Sequence, residues 1–354
     1  MNTVNSRASN IELLRIVSMI IIVFYHIITN SVVPNFSNEM YLTKPLISIL
    51  HLGVICFVLI SGYWGIKFSL KSFFRLVLYC SFYSVLTYII SIVIRPDSFS
   101  IVEAFKAVIP YQWWYIPVYL CLFLLTPLIN IPLESGSKQI KLFLILVLGI
   151  ISIGFGQFVP SLVTGKNPIN FVLIYYLGNF IKTEVHLKHI LTSSQLFLIY
   201  LLLTAFVFLS IWLTDMYVPH MSDALFKIFF PYNSIGLLII SILFFTVFIR
   251  LTISSKLINW IASSTLAVYL LHENRFLGHY MYDAIGKLIK TVNHVGLSYL
   301  IMIGLALTIF MVFVSIDKLI APVFNRLIDL IFNSSLYKKL DNKVPKNFIT
   351  GSYK

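Results

Sequence analysis

The chain of 354 residues is 59% hydrophobic and only 11% charged, with a mean hydropathy of +0.92. Soluble globular proteins carry about 25% charged residues, so this composition excludes an ordinary soluble domain and indicates a polytopic membrane protein. The formal net charge of +13 does not indicate nucleic-acid binding, because the basic residues are spread over short loops, where membrane topology places them. The three cysteines lie inside apolar runs and match neither a zinc site nor a disulfide framework.

Apolar runs long enough to cross a membrane recur along the chain, since a spanning helix needs about 20 mostly apolar residues. About ten helices are predicted, at 11–30, 46–65, 74–94, 113–133, 140–158, 168–182, 195–214, 233–251, 257–275 and 297–317. Two shorter amphipathic segments, 101–110 and 322–332, are predicted to lie on the membrane surface. Residues 1–333 are therefore expected to form one transmembrane domain, followed by a polar cytoplasmic tail at 334–354.

The predicted orientation follows from the distribution of basic residues. An even number of spans puts both termini on one side, and most of the 26 Lys and Arg residues then fall on that side. Cytoplasmic loops carry an excess of Lys and Arg, so both termini are predicted to be cytoplasmic. The fold class expected from the sequence is an all-α bundle of about ten transmembrane helices in the cytoplasmic membrane.

The first span, "IELLRIVSMIIIVFYHI" at 11–27, contains three ionisable residues, Glu12, Arg15 and His26. On an α-helix His26 lies within about 20° of Arg15 and about 16 Å further along the axis. An ionisable group facing lipid is costly, so this stripe is predicted to face the bundle interior or a water-filled cavity. Two simpler interpretations stay open: Glu12 and Arg15 form a surface pair with Arg15 snorkelling, and His26 makes a structural hydrogen bond.

Two further histidines are predicted at the depth of His26. His51 lies early in the second span and His272 near the end of the ninth, both toward the outer side. Three imidazoles can bind zinc. These three come from separate helices without a local spacing motif, so no metal site is predicted.

A basic segment, "KFSLKSFFR" at 67–75, precedes the third span on the predicted cytoplasmic side. Together with Arg15, this segment would form a basic entrance to the helix bundle on the predicted cytoplasmic side. Positive-inside anchoring is the simpler interpretation and is preferred for Lys67. Arg75 lies closer to the apolar run and is better placed to hold a phosphate.

At these residues the chain resembles the membrane acyltransferase-3 family, integral membrane enzymes of which many O-acetylate bacterial surface polysaccharides. The family's first helix shows an acid, an arginine and, after ten residues, a histidine, which correspond here to Glu12, Arg15 and His26. The similarity continues in "VICFVLISGYW" at 54–64, "WWYIPVYLCLFLLTPLIN" at 113–130 and "STLAVYLLH" at 264–272, and covers about residues 7 to 320.

The chain departs from the family pattern at one point. Members often carry two arginines three residues apart at the start of the third helix. Here Arg75 matches the second of them, whereas Ser72 stands at the first position, with Lys71 beside it.

The resemblance implies an acyl-CoA donor, commonly acetyl-CoA, that binds from the cytoplasm as a co-substrate, without a tightly bound cofactor. The acceptor would be a hydroxyl of a cell-surface or lipid-linked glycan at the outer face of the bilayer. Arg15, Lys71 and Arg75 would then hold the anionic phosphates of coenzyme A. The pantetheine arm would run along the polar stripe.

The resemblance also suggests catalytic roles. His26 is suited to remove the proton of the acceptor hydroxyl, because a neutral imidazole titrates near working pH. An acyl-histidine intermediate is the alternative. Glu12 would orient Arg15. Supporting positions are assigned to His51, Tyr63 and His272.

Other functions remain open on the sequence alone. An exporter of a glycan or lipid-linked sugar would also line its path with polar residues, although it would not need a pocket for coenzyme A. A glycan polymerase would be expected to carry a large arginine-rich outer loop, which the loops at about 215–232 and 276–296 do not match. The aromatic row Trp113, Trp114 and Tyr115 is predicted to be a membrane-interface belt rather than a sugar-stacking platform.

Overall fold

The computed structural model describes residues 8–36, 42–185, 191–335 and 337. Within these residues the regular structure is entirely helical, which confirms the all-α prediction. The α-helices are α1 Ser9–Ile27, α2 Val33–Phe36, α3 Thr43–Leu50, α4 Leu52–Trp64, α5 Leu70–Ile94, α6 Ile101–Val108, α7 Tyr115–Ser135, α8 Lys138–Gly149, α9 Pro168–Thr183, α10 Ser193–Tyr217, α11 Pro219–Phe229, α12 Ile235–Ile249, α13 Lys256–Ala262, α14 Thr265–His272, α15 Gly278–Lys290 and α16 Val295–Asn333. A π-helical turn, Ile28–Val32, extends α1.

In the described part of the chain, six helical segments are long and apolar enough to cross a membrane. They are Ser9–Val32, Thr43–Trp64, Leu70–Ile94, Tyr115–Ser135, Ser193–Tyr217 and Val295–Asn333, and α12 is a shorter apolar helix. The protein is therefore a multi-pass membrane protein. The remaining predicted spans correspond to shorter or interrupted helices, so the count of about ten and the cytoplasmic location of the termini stay predictions.

The amphipathic segment 322–332 is not a separate surface helix, as the sequence suggested, but the last part of α16. The helix continues through Pro322 even though proline removes a backbone donor. Phe324, Ile328 and Phe332 are buried against α5, where they pack on Phe74 and its neighbours. This apolar contact stabilises residues 322–332 as a continuation of α16. Most of the predicted tail at 334–354 lies outside the described residues.

Helices α4 and α9 pack with their backbones unusually close together. A Cβ atom added at Gly62 would lie 2.0 Å from the carbonyl oxygen of Tyr175, and one added at Gly178 would lie 2.3 Å from that of Leu59. Small residues at such crossings let membrane helices approach closely. This contact fixes α4, which carries the wall of the site described below.

Helix α1 is tied to the rest of the bundle at both ends. Near its start the Oγ atom of Ser9 accepts a hydrogen bond of 2.9 Å from the backbone nitrogen of Ser255, and Asn10 donates to the carbonyl of Phe248 at 3.2 Å. At the other end Asn30 donates to the carboxylate of Glu273 at 3.4 Å. The polar stripe of α1 is therefore held between the α12–α13 loop and the end of α14.

Candidate active site

A cavity of about 310 Å³ runs alongside α1. The residues that α1 contributes to its lining lie on one helical face: Arg15, Met19, Ile22, Tyr25 and His26. The prediction that Arg15 and His26 share a face turned to an interior cavity is confirmed. Glu12 does not line the cavity; it is buried and its Oε1 atom lies 3.5 Å from Nη1 of Arg15.

Aromatic side chains form much of the cavity wall, among them Trp114, Tyr115, Tyr119, Tyr232 and Tyr269. This arrangement overturns the prediction that the row at 113–115 is a membrane-interface belt. Trp113 is only 1% exposed, and its two neighbours face the cavity instead of lipid. The turn before α7 directs the row inward, which an amphipathic pattern of aromatic residues cannot reveal.

His26 and His272 are in direct contact at one end of the cavity. The Nδ1 atom of His26 lies 2.9 Å from the Nε2 atom of His272, and Nδ1 of His272 lies 2.6 Å from the carbonyl oxygen of Val268. A carbonyl only accepts, so Nδ1 of His272 is the donor and its Nε2, in the neutral ring, is an acceptor. Nδ1 of His26 must then donate to it. A neutral His26 therefore carries its lone pair on Nε2.

Glu273 completes this cluster, although it belongs to none of the motifs recognised in the sequence. Its Oε2 atom lies 3.3 Å from Nδ1 of His26. A carboxylate at this nitrogen stabilises the imidazolium that forms when Nε2 takes up a proton, as the aspartate does in serine-protease triads. The only sequence signal is its position directly after His272, where α14 ends and the side chain leaves the helical path.

Glu273 also faces a second, polar pocket of about 380 Å³. Its lining includes Asn30, Arg275, His279 and Asp283. His26 lines the aromatic cavity and Glu273 lines the polar pocket. The two spaces are therefore adjacent at the contact between these two side chains.

His51 lies in the same cavity but does not join the His26–His272 pair. Its Nδ1 atom lies 2.7 Å from the carbonyl oxygen of Phe230, so this nitrogen donates. Its Nε2 atom is buried and has no hydrogen-bond partner among the described residues. The ring of Tyr25 stands beside both imidazoles, with its centroid 5.1 Å from that of His26 and 4.7 Å from that of His51.

The three residues His26, His272 and Glu273 each offer one metal-ligand atom, and these atoms lie within 4.8 Å of one another. This set differs from the three histidines considered in the sequence. Two histidines and a carboxylate are a ligand set found in catalytic zinc sites. An ion there would bind the two nitrogens that the hydrogen bond now joins, so a metal and the hydrogen-bonded pair exclude each other.

The structure separates the predicted basic residues. Arg15 lines the aromatic cavity, toward the start of α1. Arg75 lines an adjoining cavity of about 560 Å³, which also contains Lys318, and it donates to the side-chain oxygen of Asn325 at 2.8 Å. Leu76 and Leu266 line both cavities. The two cavities are therefore contiguous, and these two residues mark the boundary between them.

Two of the predicted site residues lie elsewhere. The ammonium of Lys71 sits 5.4 Å from the centre of the Phe332 ring, and Lys71 lines neither of these cavities. The ring of Tyr63 packs on Phe245, with centroids 5.5 Å apart, and Tyr63 does not line the aromatic cavity. Neither side chain contacts the His26 cluster, so this geometry brings neither of them to the reacting groups.

The chain is a helical multi-pass membrane protein whose interior cavity has a guanidinium toward one end and a hydrogen-bonded histidine pair at the other. The family model described as an acyltransferase domain matches residues 9–316. The chain belongs to the acyltransferase-3 family and is a membrane acyltransferase. Comparisons with curated proteins and with solved structures gave no significant match.

Proposed function

We propose that this protein transfers an acyl group, specifically acetyl, from cytoplasmic acyl-CoA to a hydroxyl of a cell-surface or lipid-linked glycan, with His26 as general base. The observation that carries the proposal is the hydrogen-bonded chain from Val268 through His272 to His26. It leaves the basic nitrogen of His26 on the side of the ring away from these partners.

The shape of the cavity supports a long, thin donor. Arg15 and His26 line it from positions about 16 Å apart along α1, a distance on the scale of a pantetheine arm. Arg75 and Lys318 line the contiguous cavity, where their charges would hold the phosphates at the nucleotide end. The aromatic walls between them exclude water from the thioester, which suppresses its hydrolysis.

The polar pocket on the other side of Glu273 supports a hydroxylated acceptor. Asn30, Arg275 and Asp283 supply amide, guanidinium and carboxylate groups that hydrogen-bond to sugar hydroxyls. The acceptor would bind in this pocket and extend its hydroxyl past Glu273 into the aromatic cavity, where it would meet Nε2 of His26, and the donor would reach the same nitrogen along that cavity. The two substrates would meet at the His26 imidazole.

The chemistry needs one base that also serves as an acid. The acceptor oxygen attacks the thioester carbon while Nε2 of His26 takes the hydroxyl proton. The carbon–sulfur bond then breaks, and the imidazolium returns this proton to the departing thiolate. The products are an O-acyl ester and free coenzyme A, and the carboxylate of Glu273 stabilises the imidazolium in between.

The test compares the surface glycan of cells with the gene, without it, and with the His26→Ala variant. We expect the glycan to lose the mass of its acetyl groups without the gene and with the variant, while its amount is unchanged. Purified protein should release free coenzyme A from acetyl-CoA only when the glycan is added. A fall in the amount of surface glycan with unchanged acetylation would instead indicate an exporter.

A further inference from the structure

The aromatic cavity contains one phenol whose buried hydroxyl has no acceptor for its proton among the described residues. Tyr269 is 7% exposed and lines the cavity. The backbone N–H of Tyr115 is next to its hydroxyl oxygen and can only donate to it, so no described residue accepts the hydroxyl proton. Burying a hydroxyl that donates to nothing costs free energy. Packing alone does not account for it, because phenylalanine would fill the same volume.

Two other hydroxyl groups of the cavity lining do have a hydrogen-bond partner, because they pair with each other. The hydroxyl of Tyr119 lies 3.1 Å from that of Ser61, so each has a partner. Tyr269 is thus a buried donor in a cavity with mostly apolar and aromatic walls, and a ligand oxygen can accept its proton. A carbonyl oxygen of a substrate bound in the cavity would supply the missing acceptor.

The position of Tyr269 along α14 identifies the part of the substrate that it meets. It lies one helical turn before His272, whose imidazole contacts His26. Thr265 and Leu266, at the start of α14, line the same cavity. Tyr269 therefore lies between the Leu266 boundary with the Arg75 cavity and the histidine pair, on the side from which the donor thioester approaches His26.

We propose that Tyr269 is a catalytic residue that donates its hydroxyl proton in a hydrogen bond to the thioester carbonyl oxygen. This inference rests on the proposed function and adds the group that stabilises its transition state. When the acceptor oxygen bonds to the thioester carbon, the carbonyl electron pair moves onto oxygen as a negative charge. The Tyr269 hydroxyl stabilises this oxyanion until the carbon–sulfur bond breaks and the carbonyl re-forms. Tyr269 keeps its own proton throughout.

A single donor to a developing oxyanion typically contributes about 10²- to 10³-fold to kcat. We expect Tyr269→Phe to lower kcat by about 10²-fold and to leave the KM for acetyl-CoA within about twofold, because the interaction strengthens in the transition state. The matched control is Tyr299→Phe. Tyr299 is also 7% exposed, lies outside the cavity lining, and its hydroxyl pairs with Thr43. This control should keep its kcat.

The experiment uses the purified full chain in detergent, with acetyl-CoA and a saccharide acceptor that the wild type acetylates. Incorporating 3-fluorotyrosine at position 269, which keeps the ring and the hydroxyl, should restore kcat and shows that the site tolerates substitution if Tyr269→Phe is unstable. Unchanged kcat in Tyr269→Phe, or a raised KM with unchanged kcat, would overturn the inference while the proposed function stands. A wild type that acetylates no saccharide would overturn both.

Discussion

The imidazoles of His26 and His272 meet nitrogen to nitrogen, at 2.9 Å, although the two residues are 246 positions apart in sequence and lie on different helices. This contact determines the tautomer of His26, because the other nitrogen of His272 donates to the carbonyl of Val268. A histidine whose Nδ1 is committed as a donor has only Nε2 left for a substrate proton. The arrangement resembles a catalytic triad, in which a partner at one nitrogen orients the imidazole. Here an imidazole and a carboxylate both lie at Nδ1 of His26.

The first prediction concerns the base itself. His26→Ala should fold, insert into the membrane and bind acetyl-CoA, with turnover lowered by about 10²- to 10⁴-fold, the contribution of general-base catalysis. His26→Gln should be equally impaired, because an amide does not accept the proton. His51→Ala should be milder, since His51 donates its hydrogen bond to the carbonyl of Phe230 and to neither imidazole of the pair. Steady-state rates of coenzyme A release measure this, and near-normal turnover in His26→Gln would make His26 a structural residue.

The second prediction concerns Glu273, whose carboxylate lies 3.3 Å from Nδ1 of His26. Glu273→Gln keeps the shape but removes the charge that stabilises the imidazolium. We expect kcat to fall roughly ten- to a hundredfold, the usual range for a lost charge-assisted hydrogen bond. The matched control is Glu184→Gln, whose carboxylate pairs with Lys141 and lines neither the cavity nor the polar pocket. Equal loss of kcat in both variants would argue against a role for the Glu273 charge.

The third prediction separates the basic residues by their positions. Arg15→Ala and Arg75→Ala should each weaken acetyl-CoA binding roughly ten- to a hundredfold, because each lines one of the two contiguous cavities. Lys71→Ala should bind acetyl-CoA like the wild type, since its ammonium lies over the ring of Phe332. Isothermal titration of the detergent-solubilised protein checks this. A larger effect for Lys71 than for Arg75 would move the phosphate site toward the end of α16.

The fourth prediction concerns the close approach of α4 and α9. Gly62→Ala should destabilise the protein by about 1–3 kcal/mol, the usual cost of overpacking, because the new Cβ would lie 2.0 Å from the carbonyl oxygen of Tyr175. Gly304→Ala is the control, since nothing lies within 4 Å of a Cβ at that position. Thermal unfolding in detergent should show a lower midpoint for the first variant only. Equal midpoints would mean that the two helices can separate without cost.

The fifth prediction concerns metal ions. Activity should survive dialysis against a strong chelator, because the proposed proton transfer by His26 relies on the hydrogen bond between its Nδ1 atom and Nε2 of His272, which an ion bound by both nitrogens would replace. Metal analysis of the purified protein should find less than one equivalent of zinc. Loss of activity on chelation, with recovery on adding Zn²⁺, would instead assign the cluster of these two histidines and Glu273 as a metal centre.

The class of the protein and the polar face of its first helix could both be predicted from the amino-acid sequence. Composition and run length require a helical membrane protein, since the bilayer core leaves backbone groups no partner outside a helix. The spacing of Arg15 and His26 follows from helical geometry alone, because eleven residues return the chain to nearly the same side. The structure turns that side to a cavity, as predicted.

The groups that meet His26, in contrast, depend on how distant helices pack against one another. Periodicity gives the direction of a side chain on its own helix, but not which neighbouring helix it faces or at what height. His272 and His51 have similar predicted depths, yet only His272 reaches His26. Glu273 joins them because α14 ends at His272, and Lys71 is kept apart because the packing of α5 on α16 sets its ammonium over Phe332. These outcomes depend on contacts between residues far apart in the chain, which no local pattern encodes.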